Sequence, residues 1–174
     1  MLQLETNRLK FLRYTEADLP FILTLVTDAR VMRFIGDGSV KDEAYARQLL
    51  SRMQEQYKNF DDYGLHLLID KQTGAKIGHA GIVAQLIDDA FELEVGYWIH
   101  PDYWQQGYGF EAAEALVHYA DEEIWLERYI SAIQVGNTGS RAIALKNGMQ
   151  LEKVIDMQGK QVEIYVKINN YEEE

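Results

Sequence analysis

The residues whose types and spacing best suit ligand binding or catalysis lie in segment 94–113, which runs from a predicted strand into a predicted helix. The segment reads Glu-Val-Gly-Tyr-Trp-Ile-His-Pro-Asp-Tyr-Trp-Gln-Gln-Gly-Tyr-Gly-Phe-Glu-Ala-Ala. A strand ends at Pro101, a polar aromatic loop follows, and Gly107-Tyr108-Gly109 opens a helix. Glycines at a helix start let backbone N–H groups approach an anion, and the helix dipole favours negative charge there. The pattern predicts either a phosphate or pyrophosphate cradle or a plain turn that the glycines ease.

Two familiar phosphate-binding patterns fit this loop poorly. Gly107 to Ala112 matches the letters of the G-x-G-x-x-A dinucleotide fingerprint, but that motif belongs in the first βαβ unit of a long parallel sheet. The next predicted strand ends at Gln134, and no acidic residue stands there to hold a ribose. The Walker sequence Gly-Lys-Ser/Thr occurs nowhere in the chain. A dinucleotide-binding protein therefore remains only the less favoured alternative.

The surrounding elements must position this loop. Short connections at 70–74 and 88–89 predict an antiparallel meander, and the order then becomes helix, strand, helix, strand, strand. We therefore expect an α+β (mixed α/β) fold, with a mixed sheet of about seven strands flanked by helices. The predicted strands are 9–14, 65–69, 76–85, 92–100, 129–134, 151–155 and 162–168, and the helices are 15–26, 29–34, 42–58, 107–121 and 139–147.

Composition limits the class of protein. The chain has 174 residues, 47% of them hydrophobic, which is enough for a core, and we expect one domain over 1–174. The net charge of −11 argues against nucleic acid and against an anionic membrane surface as partners. The absence of cysteine excludes disulfide scaffolds, thiolate zinc sites and cysteine nucleophiles. With no membrane span or signal peptide visible, we expect a soluble, cytoplasmic protein.

Four blocks of sequence resemble one family. The chain is similar to the GCN5-related N-acetyltransferases (GNAT), and more narrowly to the RimJ/RimL-like subgroup that acetylates the N-termini of ribosomal proteins. The resemblance covers nearly the whole chain and depends most on the second and third blocks in their order and spacing. The blocks are Leu4–Arg13, Val31–Ile35, Glu94–Trp104 and Asn137–Gly148.

The resemblance implies acetyl-coenzyme A as the cofactor. It also implies two splayed parallel strands, the earlier of which pairs its backbone with the pantetheine chain. The family signature has Gln or Arg three residues before the first glycine, where this chain has Trp104, a usual departure in the subgroup. The implied pantetheine positions are Trp98, Ile99 and His100, and the implied pyrophosphate loop is Gln105, Gln106, Gly107, Tyr108, Gly109 and Phe110.

Acetylating an amine requires a neutral nucleophile, so a base must remove a proton. Glu94 is our candidate for that base, directly or through water, because a carboxylate in a partly apolar cleft can have a raised pKa. Members of the resembled subgroup often have Glu at this position. Glu92 points to the same face by alternation and is the rival. The alternative is that Glu94 is a solvated carboxylate paired with a neighbour.

Asn137 and Ser140 lie where a strand ends and a helix begins, and both residue types are routine helix caps. The resemblance implies that Asn137 contacts pantetheine and that Ser140 protonates the leaving thiolate. Many family members use a tyrosine on this helix instead, at a position that here is Ala144. A thiolate with a pKa of about 8.5 also leaves without an acid.

The remaining candidates carry less chemistry. The histidines show no ligand spacing, so no metal site is predicted. The aromatic residues between 97 and 108 form either a cation-binding wall or plain packing, and exposed aromatics permit a homodimer without requiring one. Segment 28–62 should form the acceptor side, where its carboxylates would attract an amine. That amine could be a protein N-terminus or a small amine, and a non-catalytic acetyl-CoA-binding module stays as the alternative.

Overall fold

The computed structural model describes residues 2–171. From the sequence we expect the acidic end, Tyr171 to Glu174, to be a frayed tail, and its residues 172–174 lie outside the described residues. The centre of the fold is a seven-stranded mixed sheet in the order β1-β2-β3-β4-β5-β7-β6. Every neighbouring pair is antiparallel except β4 and β5, which run parallel. The strands are β1 (Leu9–Leu12), β2 (Gly64–Asp70), β3 (Lys76–Ile87), β4 (Ala90–Ile99), β5 (Arg128–Gln134), β6 (Gln150–Met157) and β7 (Lys160–Ile168).

Helices cover both faces of this sheet. The helices are α1 (Leu19–Val26), α2 (Ala29–Met32), α3 (Glu43–Asn59), α4 (Tyr108–Glu122) and α5 (Thr138–Lys146). Helices α1 to α3 share one apolar cluster with alternate residues of β2, including Leu67. Helices α4 and α5 pack on the opposite face against Leu68, Ile77 and Val95. Apolar clusters on both faces therefore hold the sheet between them, and a third cluster, around Ile130 and Ile164, lies on β5 and β7.

The predicted fold class and all seven predicted strands are confirmed, with shifts at their ends. Strand β1 ends at Leu12 rather than Tyr14, because Tyr14 is buried and directs its hydroxyl to His79. The expected helix at 15–26 begins with a 3-10 turn, Glu16–Asp18, and α1 proper starts at Leu19. Pro20 lies in that first turn, where its missing N–H leaves no helical bond unmade.

Candidate active site

The parallel strands β4 and β5 part almost as soon as they meet. Their only register pair is Glu94 with Ile130. Just beyond it, the Ser131 hydroxyl donates to the carbonyl of Val95 at 2.9 Å, and the N–H of Ala132 donates to the Glu94 carboxyl at 3.3 Å. Side chains thus satisfy backbone groups that a continuous ladder would have paired. The strands therefore open a gap towards their C-terminal ends.

The backbone of β4 lines this gap on one side. The N–H of His100 donates to the carbonyl of Ile77 on β3 at 2.8 Å, and antiparallel bonding alternates along a strand. Trp98 and His100 therefore bond to β3, whereas Tyr97 and Ile99 direct their N–H and C=O groups into the gap. Of the three backbone positions expected from the sequence, only Ile99 faces the gap, and its carbonyl already accepts from the Trp104 indole at 2.7 Å. The backbone of Tyr97, a position that the sequence did not indicate, also faces the gap.

Glu94 is the titratable group at the mouth of the gap. Its carboxyl accepts hydrogen bonds from the side-chain amide of Gln85 and from the N–H of Ala132. Burial raises its pKa to about 7, and the two hydrogen bonds partly oppose that rise. Among residues 2–171 it has no cationic partner. Near neutral pH this carboxyl can therefore accept or release a proton.

Glu92, the rival carboxylate on the same face, is committed elsewhere. Its Oε1 lies 2.8 Å from Nη2 of Arg128, and the same guanidinium binds Glu152 at 2.9 Å. Nε and Nη2 of Arg128 together donate three hydrogen bonds to this carboxylate, at 2.8 to 3.3 Å. The structure therefore favours Glu94 over Glu92 as a base.

An open floor lies beside Glu94 on the face that carries α1 to α3. Gly96 stands between Glu94 and Trp98 on that face, and a Cβ added at Gly96 would meet nothing within 4 Å. The Trp98 ring packs against His79, with ring centroids 4.7 Å apart. Burial lowers the pKa of His79 to about 3, so this wall stays neutral. A small group placed above Gly96 would lie beside the proposed base.

The start of α4 forms the expected cradle. Gly107 adopts the left-handed conformation, with φ of 82°, and the first helical bond runs from the N–H of Glu111 to its carbonyl at 3.0 Å. The N–H groups of Tyr108, Gly109 and Phe110 thus have no acceptor inside the helix. The residues present therefore fit a pyrophosphate held by backbone N–H groups.

Arg8 braces this cradle, a role that the sequence did not reveal. Its Nη1 donates to the carbonyl of Gln106 at 2.9 Å, and its Nε lies 2.6 Å from the carboxyl of Glu111. The guanidinium also covers the Tyr108 ring, 4.1 Å from its centroid. Arg8 lies within the block Leu4–Arg13, but no local pattern indicates that it reaches α4. Its contacts span about 100 positions of sequence, which only the tertiary fold brings together.

Gly109 allows close packing between α4 and its neighbours. A Cβ there would lie 3.2 Å from Ile143 on α5 and 3.6 Å from Ile99 on β4. Its missing side chain lets α4 approach both elements closely. Gly107 thus serves the turn before α4 and Gly109 the close packing, whereas pyrophosphate binding at this helix start stays a prediction.

Helix α5 begins at the other side of the gap. Asn137 caps it, its side-chain oxygen accepting from the N–H of Ser140 at 3.2 Å. The Tyr97 hydroxyl donates to the carbonyl of Ser140 at 3.3 Å, which places Ser140 beside β4. At the position where many family members have a tyrosine, this helix has Ala144, which is buried against α4 and 3% exposed.

Two cations without a carboxylate partner also lie on α5. Neither Arg141 nor Lys146 pairs with a carboxylate in the described range 2–171. The Lys146 ammonium stands 3.8 Å from the centroid of the Phe110 ring, at the start of α4. An acidic chain thus keeps free positive charge close to the cradle.

The carboxylates expected to form an acidic rim over segment 28–62 are largely exposed, but most of them have a partner. Most are neutralised by a neighbouring cation, or used as a cap, and the last two lie at the far end of α3. The contacts are Asp28 with Arg30 at 2.6 Å, Asp37 with Lys41 at 2.8 Å, Glu43 with Arg47 at 2.6 Å, Asp42 capping α3, Asp61 with Arg13 at 3.8 Å, and Asp62 with Tyr119.

The remaining histidines take no part in a metal site. No group of three or more metal-ligating side chains occurs in the part of the chain that the structure describes. His66 is buried and its Nδ1–H donates to the carbonyl of Gly64 at 2.9 Å, and burial lowers its pKa to about 4. In residues 2–171, no helix is both long and apolar enough to cross a membrane.

A splayed parallel pair, a helix start with free N–H groups and a half-buried carboxylate thus surround one gap in the sheet, an arrangement suited to acyl transfer. Residues 8–150 match the family described as "Acetyltransferase (GNAT) domain". The YkkB protein of Bacillus subtilis (strain 168) is 31% identical over 166 residues, which cover 94% of each chain.

Two solved structures share the fold. The acetyltransferase from Agrobacterium tumefaciens str. C58 superposes with a TM-score of 0.82 at 24% identity, covering 97% of this chain and 95% of that one. RimL, a ribosomal L7/L12 α-N-protein acetyltransferase in complex with coenzyme A, gives a TM-score of 0.74 at 20% identity, with 94% and 95% covered.

The chain belongs to the GNAT acetyltransferase family. It is therefore an acyltransferase, and acetyl-CoA is its cofactor. The resemblance drawn from the four sequence blocks is confirmed, including the similarity to ribosomal-protein acetyltransferases.

Proposed function

We propose that this enzyme transfers an acetyl group directly from acetyl-CoA to a primary amine, of either a protein N-terminus or a small molecule, with 1–174 acting as one domain. The observation that carries the proposal is Glu94. Its carboxyl has a raised pKa near 7, no cationic partner, and an open floor at Gly96 beside it. A base with those properties suits the deprotonation of an ammonium group near neutral pH.

The chain's own residues would hold the cofactor along the gap. Backbone N–H groups at the start of α4 bind the pyrophosphate, with Gln105 and Gln106 adding side-chain contacts. The backbone groups of Tyr97 and Ile99 that face the gap would pair with pantetheine, and the Asn137 amide would contact the same chain. Bound acetyl-CoA supplies a thioester whose carbonyl carbon the amine attacks.

Two side chains would move protons in this scheme. Glu94 takes the proton from the ammonium at a carboxyl oxygen, directly or through water. Ser140, held in position by Asn137 and Tyr97, would give its hydroxyl proton to the departing sulfur and regain one from the attacking nitrogen, which still carries an extra proton after the attack. Because the chain contains no cysteine, no thiol is available to carry the acetyl group, and we expect direct transfer.

A turnover screen tests the proposal. Acetyl-CoA is incubated with a panel of primary amines and N-terminal peptides, and free thiol is measured with a chromogenic disulfide. The similarity to RimL supports including peptides with a free N-terminus. Thiol release that depends on the amine supports the proposal. Coenzyme A binding by calorimetry without thiol release for any amine would instead indicate a non-catalytic acetyl-CoA-binding module.

A further inference from the structure

A shallow groove of about 360 Å³ lies at the C-terminal end of β5. The α2–α3 loop forms one wall and the start of β7 forms the other. Gln134 fixes that loop in place, because its side-chain amide donates to the carbonyl of Gly36 at 2.7 Å. The lining residues are Arg33, Phe34, Gln134, Val135, Lys160 and Gln161.

This groove continues from the proposed acceptor site. Gln134 lies two residues beyond Ala132, whose N–H holds Glu94, and strand residues two apart share a face. Two residues of strand span about 7 Å. The groove therefore begins one short molecular chain away from the proposed base and on the same face of the sheet.

Its charge is opposite to that of the protein as a whole. Arg33 and Lys160 have no carboxylate partner among residues 2–171, although the chain carries a net charge of −11. The neighbouring cations Arg30 and Lys41 are both neutralised by aspartates. The Arg33 guanidinium stacks over the Phe34 ring, 5.0 Å from its centroid, which restricts its orientation. Two free cations thus face each other across the groove.

The carboxylate nearest the turn of the adjoining β6–β7 hairpin, Asp156, is occupied by the turn itself. Asp156 accepts from the N–H of Gly159 at 3.0 Å and from the side-chain amide of Gln161 at 3.3 Å. It forms no ion pair with Lys160. The positive charge of the groove is therefore available to a ligand.

We propose that this groove binds an anionic group of the acceptor, so that the preferred substrate is a primary amine carrying a carboxylate or phosphate a short chain away. The inference rests on the proposed acetyl transfer at Glu94. Acetylation removes the positive charge of the amine but leaves the distal anion, and Arg33 can bind that anion through two parallel N–H donors.

A series of ω-amino acids, from β-alanine to 6-aminohexanoate, is compared with the matching ω-amino amides to test this anion subsite. We expect kcat/KM from thiol release to favour the acids over amides of equal length by about tenfold, as two partly exposed ion pairs allow. Arg33→Gln and Lys160→Gln should each reduce that preference, and added salt should weaken it in the wild type. Arg52→Gln is the matched control, because Arg52 is an exposed, unpaired cation on α3 outside the groove.

Calorimetry with the N-acetylated products separates this inference from the proposed function. Equal kcat/KM for acids and amides would overturn the anion subsite while leaving acetyl transfer intact. If no amine releases thiol, the proposed function fails, and product binding then decides the groove alone. Binding of N-acetyl acids over N-acetyl amides that is lost in Arg33→Gln and Lys160→Gln supports it, and equal binding contradicts it.

Discussion

Replacing Glu94 with glutamine tests the base most directly. The substitution keeps the shape of the side chain and one of its oxygen acceptors but removes the ability to take a proton. General bases contribute about 10²–10⁴-fold to rate, so we expect Glu94→Gln to lose at least about 100-fold in kcat/KM at pH 8. Since the pKa of Glu94 is about 7, the wild-type advantage should shrink about tenfold per pH unit below that value.

Measuring both proteins with the same acceptor isolates the acidic limb of the pH profile, which is the fall in kcat/KM below pH 7. The amine titrates identically in both assays, so the ratio of their kcat/KM values reports only Glu94. Glu92→Gln is the control: it breaks the ion pair with Arg128 and should lower stability, but it should leave the acidic limb in place. A Glu94→Gln enzyme with wild-type kcat/KM from pH 6 to pH 9 would refute the reasoning.

The same carboxyl should leave a mark on stability. Its pKa is about 7 in the folded protein against 4.5 for an unperturbed glutamate, so the stability it contributes is present below pH 4.5 and lost as pH rises through 7. That difference corresponds to at most about 3 kcal/mol. We therefore expect urea unfolding at pH 8 to show Glu94→Gln to be more stable than wild type, by about 1–3 kcal/mol, with the gain vanishing near pH 4.5. Equal stability of the two proteins at pH 8 would show that the carboxyl is not desolvated.

Three further outcomes follow from the structure. Ser140→Ala should lower kcat about 10- to 100-fold with little change in KM for acetyl-CoA if its hydroxyl protonates the sulfur, and an unchanged kcat in single-turnover assays would remove that role. Gly107→Ala should cost about 1–2 kcal/mol because its φ is 82°, and should weaken coenzyme A binding in calorimetry, whereas Gly74→Ala, with a φ of 72° and open space, should cost similar stability and leave binding alone. The pKa values of His79 and His66 are lowered to about 3 and 4, so the unfolded chain takes up their protons first as pH falls below 6.5, and each should remove about 1.4 kcal/mol of stability per pH unit. His79→Leu should flatten that slope in urea titrations, and a slope equal to that of the wild type would contradict the assignment.

The elements of this fold were largely readable from local sequence. Helix starts carry their own caps, as at Asp42 and Asn137, and the short turns after Asp70 and Ile87 specify hairpins without outside help. Gly107 is also recognisable from the sequence, because few residues other than glycine adopt a positive φ at a helix start. These features depend on contacts within a few residues, which the sequence displays directly.

Site residues that act through distant partners were less visible. The sequence indicated both Glu92 and Glu94, and only the position of Arg128 on β5 separates the ion-paired carboxylate from the unpaired one. The acidic rim looked open because its cations, such as Lys41 and Arg47, could not be matched to particular carboxylates from the sequence. Which backbone groups of β4 face the gap depended on the register with β3.

The sequence by itself determined the family, the order of the elements and the glycine cradle, because motif spacing, hydrophobic periodicity and capping chemistry are local properties of the chain. Only the tertiary structure decided how the charges are used. Burial and pairing across strands distinguish Glu94, whose pKa is raised, from the ion-paired Glu92. Neighbouring cations pair with most carboxylates of segment 28–62, whereas Arg33 and Lys160 have no carboxylate partner among the described residues. The energy of a charge depends on its neighbours in space and on the water removed around it, and those are fixed only when the chain folds.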